Sequence, residues 1–153
     1  MNKFFKTVLL TGLFVGTTDI LSAFVTAFIQ SGKFPSLMFN YIAGGALGIK
    51  TAIKGGTPVA FLGLFFHYLI AYAFTLFFFW IFPKLKFLSF NKYLVGMLYA
   101  VFVNQVMEQI ILRLTPFPAS AFSLSNEYIG WIVFGVLFGI PIVYNTYKYY
   151  GVE

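Results

Sequence analysis

The chain has no cysteine and very little charge. Without Cys there can be no disulfide, thiolate-held metal, iron–sulfur cluster or thiol redox chemistry. Charged residues make up 9% of the 153 residues, against about a quarter in a soluble domain. So few charges cannot build a water-facing surface. A single His rules out a b-type haem held by two axial His ligands of one chain. The close His/Glu spacing of zinc motifs is missing, as are Gly-x-Ser-x-Gly and a phosphate-binding loop. No cofactor and no metal are therefore expected, and an intramembrane enzyme has no reactive motif to rest on. Nucleic-acid binding has no support either. The net charge of +6 comes from basic residues scattered in short loops beside apolar spans, a pattern of orientation signals and contacts with anionic headgroups.

What is present is apolar length. Hydrophobic residues reach 60%, with 22 Phe, and the mean hydropathy is +0.88. The composition predicts an all-α, polytopic membrane protein: one domain, 1–153, folded as a four-helix transmembrane bundle. The spans are expected at about 5–29, 58–82, 93–115 and 127–147, with a short interfacial or re-entrant helix over about 36–54. That last stretch is too short and too weakly apolar to cross a bilayer.

Taken in order, Lys3 and Lys6 give the first span the look of a signal peptide. Its apolar stretch exceeds the roughly 7–15 residues of a signal h-region and no small-x-small site follows, so a retained first helix is expected. Gly12, Gly16, Asp19 and Ala23 share one face of it, and Gly12-x-x-x-Gly16 allows close helix approach. Gly32 and Pro35 end it. Thr57-Pro58 reads as an N-cap and first-turn Pro for the second span. There Gly63, His67, Ala71 and Thr75 form a small or polar stripe among Phe, Leu and Ile. Asn91 is the expected N-cap of the third span and Pro116 its terminator. A Pro-, Ser- and Phe-rich loop runs on to Asn126. The fourth span carries Gly135-x-x-x-Gly139 and Pro141, an expected kink and hinge. Trp80, Trp131, Tyr144 and Tyr147 are placed as an aromatic belt, and the Phe runs as lipid-facing bulk. Gly12-x-x-x-Gly16 with Asp19 is echoed by Gly96-x-x-x-Ala100 with Asn104, as a duplicated hairpin would give.

Lys and Arg counts set the orientation. Lys3, Lys6, Lys84, Lys86, Lys92 and Lys148 fall on one side. Lys33, Lys50 and Lys54 fall on the other, with Arg113 near its edge. Both termini are therefore expected in the cytoplasm, in the inner membrane of a bacterium.

The unusual stretch is Asn104 to Arg113, where half the residues are polar inside a membrane-length segment. Such groups are expensive in lipid and are functional candidates by default. Counting about 1.5 Å per residue from each span's centre puts Asp19, His67 and Glu108 at one depth. Gln105, Gln109 and Arg113 form an i, i+4, i+8 stripe beside Asn104 and Glu108. A polar cluster of Asp19, His67, Asn104, Gln105, Glu108 and Gln109, with Arg113 toward the exit, is the expected site. Two carboxylates and a His can relay protons, because burial raises carboxyl pKa values and His titrates near neutrality. The structural alternative is helix glue: Asp19 accepting from Thr17 or Thr18, and the amides bridging helices.

Gly12 to Ser22, Tyr-Ile-Ala-Gly-Gly at Tyr41 to Gly45, Gly-Leu-Phe-Phe-His-Tyr at Gly63 to Tyr68, and Phe-Gly-Ile-Pro at Phe138 to Pro141 carry a resemblance. Through them the chain resembles a group of small bacterial four-helix integral membrane proteins that have no assigned activity. The resemblance implies the membrane topology and no mechanism. Two functions are expected. One is a small transporter or ligand-binding membrane protein, working as a homodimer paired through a Gly-x-x-x-Gly face. The other is a non-catalytic accessory or scaffold subunit bound to another membrane protein. In both the bilayer is the principal partner.

Overall fold

The long apolar runs fold as helices. In the computed structural model, which describes residues 2–115 and 130–152, every regular element is helical. Asn2 caps α1 (Lys3–Ser31) by accepting from the Phe4 N–H at 3.2 Å. Gly32, at φ 65°, closes that helix in the left-handed conformation that a Cβ disfavours. The helices α2 (Met38–Leu47) and α3 (Ile49–Lys54) follow, then α4 (Gly56–Ile81). Two short 3-10 turns, Phe82–Lys84 and Lys86–Ser89, lead to α5 (Lys92–Val106). Asn91 caps α5 as its sequence position suggests, accepting from the N–H groups of Tyr93 and Leu94 at 3.0 Å each. The last helix, α6, spans Gly130–Tyr150. Among the described residues, α1, α4, α5 and α6, with the turns continuing α4 and α5, are the 4 helices long and apolar enough to cross a membrane.

The four long helices alternate in direction. The Tyr72 hydroxyl of α4 donates to Leu9 O of α1 at 3.1 Å, while Tyr68, a turn earlier, meets Thr17 at 2.8 Å. On the other side Met97 of α5 lies against Gly135 of α6, and Asn104 against Trp131. This up-and-down order gathers Lys3, Lys6, Lys84, Lys86, Lys92 and Lys148 at one end of the bundle.

Small residues set the closest contacts. Gly12 lies under the Tyr72 ring, and a Cβ on Gly16 would sit 2.9 Å from the Tyr68 ring and 3.3 Å from Ala71 Cβ. Gly139 packs on the Gly96 carbonyl and Gly63 on the Phe39 carbonyl. Both Gly-x-x-x-Gly faces are thus covered by helices of the same chain. This corrects the expectation that two copies pair through one of them.

Tyrosines fasten what the glycines bring together. Tyr99 donates to Phe74 O at 2.6 Å, Tyr147 to Leu88 O at 2.6 Å, and Tyr150 to Phe79 O at 3.0 Å. Near the lysine-bearing end Phe78, Phe79, Phe82, Tyr99 and Tyr147 are buried together, with Phe78 and Tyr99 centroids 4.6 Å apart. Tyr147 is therefore core and not belt, and the Phe-rich end of α4 is partly core, whereas Trp80 and Tyr144 stay exposed. Each of these two exposed rings has a lysine over it: Lys84 Nζ lies 3.2 Å from the Trp80 ring and Lys92 Nζ 5.5 Å from that of Tyr144.

Other local expectations also change. Residues 36–54 form two helices, because Gly48 (φ 80°) turns the chain between them. The side chain of Asn40 is 2% exposed and donates to Ala52 O and Gly56 O, both at 3.0 Å. It ties α2 to the end of α3 and the start of α4. That start is Gly56 after Gly55, with no side-chain cap, so Thr57 is not an N-cap. The third span is regular only to Val106. A π turn, Met107–Ile111, and a 3-10 turn, Leu112–Leu114, follow. Pro116, the loop to Asn126 and the expected start of the fourth span at Glu127 lie outside the described residues.

In α6 a π turn, Gly135–Gly139, precedes Pro141. Pro141 has no N–H, so the Leu137 carbonyl one turn back loses its α-helical donor. Thr18 of α1 donates to it at 3.0 Å, sharing its one proton with Phe14 O and Val15 O on its own helix.

Candidate functional site

The helices part in the half of the bundle away from the lysines. They leave a half-open cavity of about 1140 Å³. Its floor is apolar: Ala71 and Phe74 of α4, Val103 of α5 and Phe138 of α6. Below the floor lies the packed aromatic layer. Near the opposite rim stand Ile29 and Gln30 of α1, Thr115, and Gly130 of α6. The short α2 forms part of one wall with Tyr41 and Ile42.

The polar residues on the walls come from separate helices. Asp19 and Ser22 belong to α1, His67 to α4, Asn104 to α5, Glu108 to the π turn after it, and Trp131 to α6. Four of the seven polar-cluster residues expected from sequence thus line one space. Gln105, Gln109 and Arg113 are not among its lining residues, and Gln109 and Arg113 are exposed. The physical reason is the π turn. It adds a residue to the helix, which rotates everything beyond it by roughly 100° and breaks a stripe counted at i, i+4, i+8.

Each polar wall residue has its own set of partners. His67 Nε2 lies 2.7 Å from Gly16 O. A carbonyl cannot donate, so Nε2 carries the hydrogen and Nδ1 is the nitrogen that can gain or lose a proton. The absence of a side chain at Gly16 is what lets α4 come this close. Asp19 faces His67 closely enough for their charges to interact. Its carboxylate takes no hydrogen bond from a described residue: Thr17 bonds Leu13 O and Tyr68, Thr18 bonds carbonyls, and the Ser22 hydroxyl donates to Asp19 O of the backbone at 2.8 Å. The expectation that Thr17 or Thr18 holds the Asp19 carboxylate is thereby corrected. Glu108 likewise has no hydrogen bond or ion pair among the described residues, and neither has Arg113. Asn104 differs, since its Oδ1 accepts from the Trp131 indole at 3.2 Å, so it joins α5 to α6.

Among the described residues no three His, Asp or Glu side chains converge to form a metal site. Nor does any Lys or Arg line the cavity, so its only full charges are carboxylates. Sequence reasoning missed Ser22, Tyr41 and the inward role of Trp131. Ser22 follows Asp19 by three residues and shares its face, which was a usable signal. Trp131 near a helix end looks the same in sequence whether it faces lipid or a partner helix.

Comparison with protein-family models, with curated proteins and with solved structures returned no match. The class is defined by the coordinates alone: an all-helical protein with 4 helices of membrane-crossing length and apolarity, enclosing an acidic, largely apolar cavity.

Proposed function

We propose that this chain is a multi-pass integral membrane protein of a bacterial inner membrane, with both termini in the cytoplasm, and that it binds a small apolar cation in exchange with protons. The lysine-bearing end of the bundle supports the orientation, since positive charge is retained on the cytoplasmic side. The helices α2 and α3 form a short re-entrant pair, covered on one side by α4. One observation carries the functional reading. Asp19 and Glu108, with no hydrogen-bond partner among the described residues, share with His67 one cavity that no Lys or Arg lines.

Buried carboxylates are costly and persist where a ligand or a proton offsets them. The apolar floor suits a hydrophobic body, and the walls suit a single positive charge. Asp19 and Glu108 hold that charge, and His67 Nδ1 takes up or releases the proton that travels the other way. Asn104 acts as a brace through Trp131.

Tetraphenylphosphonium tests the reading, as a cation with apolar surface all round. Equilibrium binding to the detergent-purified protein should be saturable, and it should weaken as pH falls, because protons compete for the same carboxylates. Glu108→Gln and Asp19→Asn should each lower affinity by about tenfold or more, the loss of one close charge pair in a partly desolvated site. Unchanged binding in both variants would sink the proposal and favour an accessory subunit, in which the polar groups only hold helices together.

A further inference from the structure

A second cavity lies on the other face of α1, at the lysine-bearing end. Helices α1 and α6 are fastened at two levels. Near the end, Phe4 packs edge-on against Tyr149 with centroids 5.6 Å apart. Deeper in, Thr18 donates to Leu137 O at 3.0 Å. Between these fastenings runs a groove of about 670 Å³. Its outer part carries Lys3, Lys6, Lys148 and Tyr149, and its inner part is Leu10, Phe14, Ile140 and Pro141. No Asp or Glu is among its lining residues. None of the three lysines has an ion pair among the described residues, and Lys3 Nζ rests 6.0 Å from the Tyr149 ring. The Thr7 hydroxyl and the Asn145 amide, which also line it, are turned to Lys3 O and Pro141 O of their own helices.

We infer that this groove is a binding site for one anionic phospholipid of the lysine-side leaflet. The inference rests on the membrane reading above but not on the ligand of the other cavity. The charge pattern is complementary to a phosphodiester: three cations converge on one point and no anion competes with them. The length also agrees. From Lys3 to Phe14 is about 16 Å along a helix at 1.5 Å per residue, and one leaflet's hydrocarbon is about 15 Å deep. A headgroup at Lys3, Lys6 and Lys148 therefore lays an acyl chain along Leu10 and Phe14 and against Pro141. A zwitterionic lipid offers the same chain, but its own cation meets the lysines. Each lysine near a membrane surface contributes about tenfold or somewhat less to the attraction.

The test uses the full chain, delipidated in neutral detergent and titrated in native mass spectrometry. The probes are dioleoylphosphatidylglycerol, dioleoylphosphatidylcholine and inorganic phosphate. The expected result is one tightly held phosphatidylglycerol, with phosphatidylcholine much weaker and phosphate alone not retained. Combining Lys3→Gln, Lys6→Gln and Lys148→Gln should weaken phosphatidylglycerol by about a hundredfold. The charge-matched set Lys33→Gln, Lys50→Gln and Lys54→Gln, outside the groove, should leave it unchanged. Leu10→Trp keeps every charge but fills the apolar part, and it too should reduce retention. Equal loss in both lysine sets, equal retention of the two lipids, or phosphate retention that matches the lipid would each overturn the site. A chain that stays monodisperse without detergent would instead overturn the membrane reading beneath it.

Discussion

Thr18 Oγ and Leu137 O, 3.0 Å apart on α1 and α6, close a gap that Pro141 opens. A proline in a helix leaves the carbonyl four residues back without its N–H, and a buried carbonyl without a donor costs free energy. The hydroxyl comes from a different helix, so the repair also locks two spans together. Thr18→Val should therefore destabilise the protein by about 0.5–1.5 kcal/mol. The cost should shrink in a Pro141→Ala background, where the backbone N–H returns. Thermal unfolding of the two single variants and the double variant measures this coupling. Additive effects would show that Thr18 acts some other way.

A Cβ on Gly63 would run into the Phe39 carbonyl, which is backbone and cannot swing aside. Gly63→Ala should cost about 1–3 kcal/mol by overpacking. The same change at Gly45, where a Cβ meets nothing within 4 Å, should be close to neutral. Melting temperatures in one detergent compare the two.

Asn40 is a single side chain bonded to the carbonyls of Ala52 and Gly56. Asn40→Ala leaves both acceptors without this donor, at about 1–3 kcal/mol. The loss should be local. Hydrogen exchange should speed up in α2 and α3 while α5 and α6 keep their protection. Uniform loss of protection would mean that this corner is not a separate unit.

Asp19→Asn and Glu108→Gln remove charges that have no hydrogen-bond partner among the described residues. If those charges are kept for a ligand, both variants should melt at or above the wild-type temperature. A fall of several degrees would identify the carboxylates as part of what holds the helices. Asn104→Leu, which breaks the bond from Trp131, should fall in either case.

The long helices were legible because apolar length is itself the signal, and Asn91 because a cap has a fixed place relative to an apolar run. The shared depth of Asp19, His67 and Glu108 could be counted from the span centres, and all three line the larger cavity. The rotation of Gln109 and Arg113 away from it could not. No Pro or Gly lies between Asn104 and Arg113 to announce a π turn, whose register depends on packing against α6. Asn40 was hidden for a different reason. In a weakly apolar stretch an Asn looks like an ordinary exposed polar residue, and only the fold back of α3 encloses it. The tyrosine hydroxyls were illegible too, since a Tyr in a greasy helix is read by its ring. Four of the interhelical hydrogen bonds described here run from a Tyr hydroxyl to a backbone carbonyl, an acceptor that every residue carries.

The aromatic layer of Phe78, Phe82, Tyr99 and Tyr147 lies between the large cavity and the lysine-bearing end. In this conformation the cavity is a cup and not a pipe. Whatever occupies it comes and goes through the rim, and concentrations on the far side do not reach it. Passage across would require those rings to separate while the rim closes. Short of that, the chain samples a single compartment and reports to the other side only through the tilt of its helices.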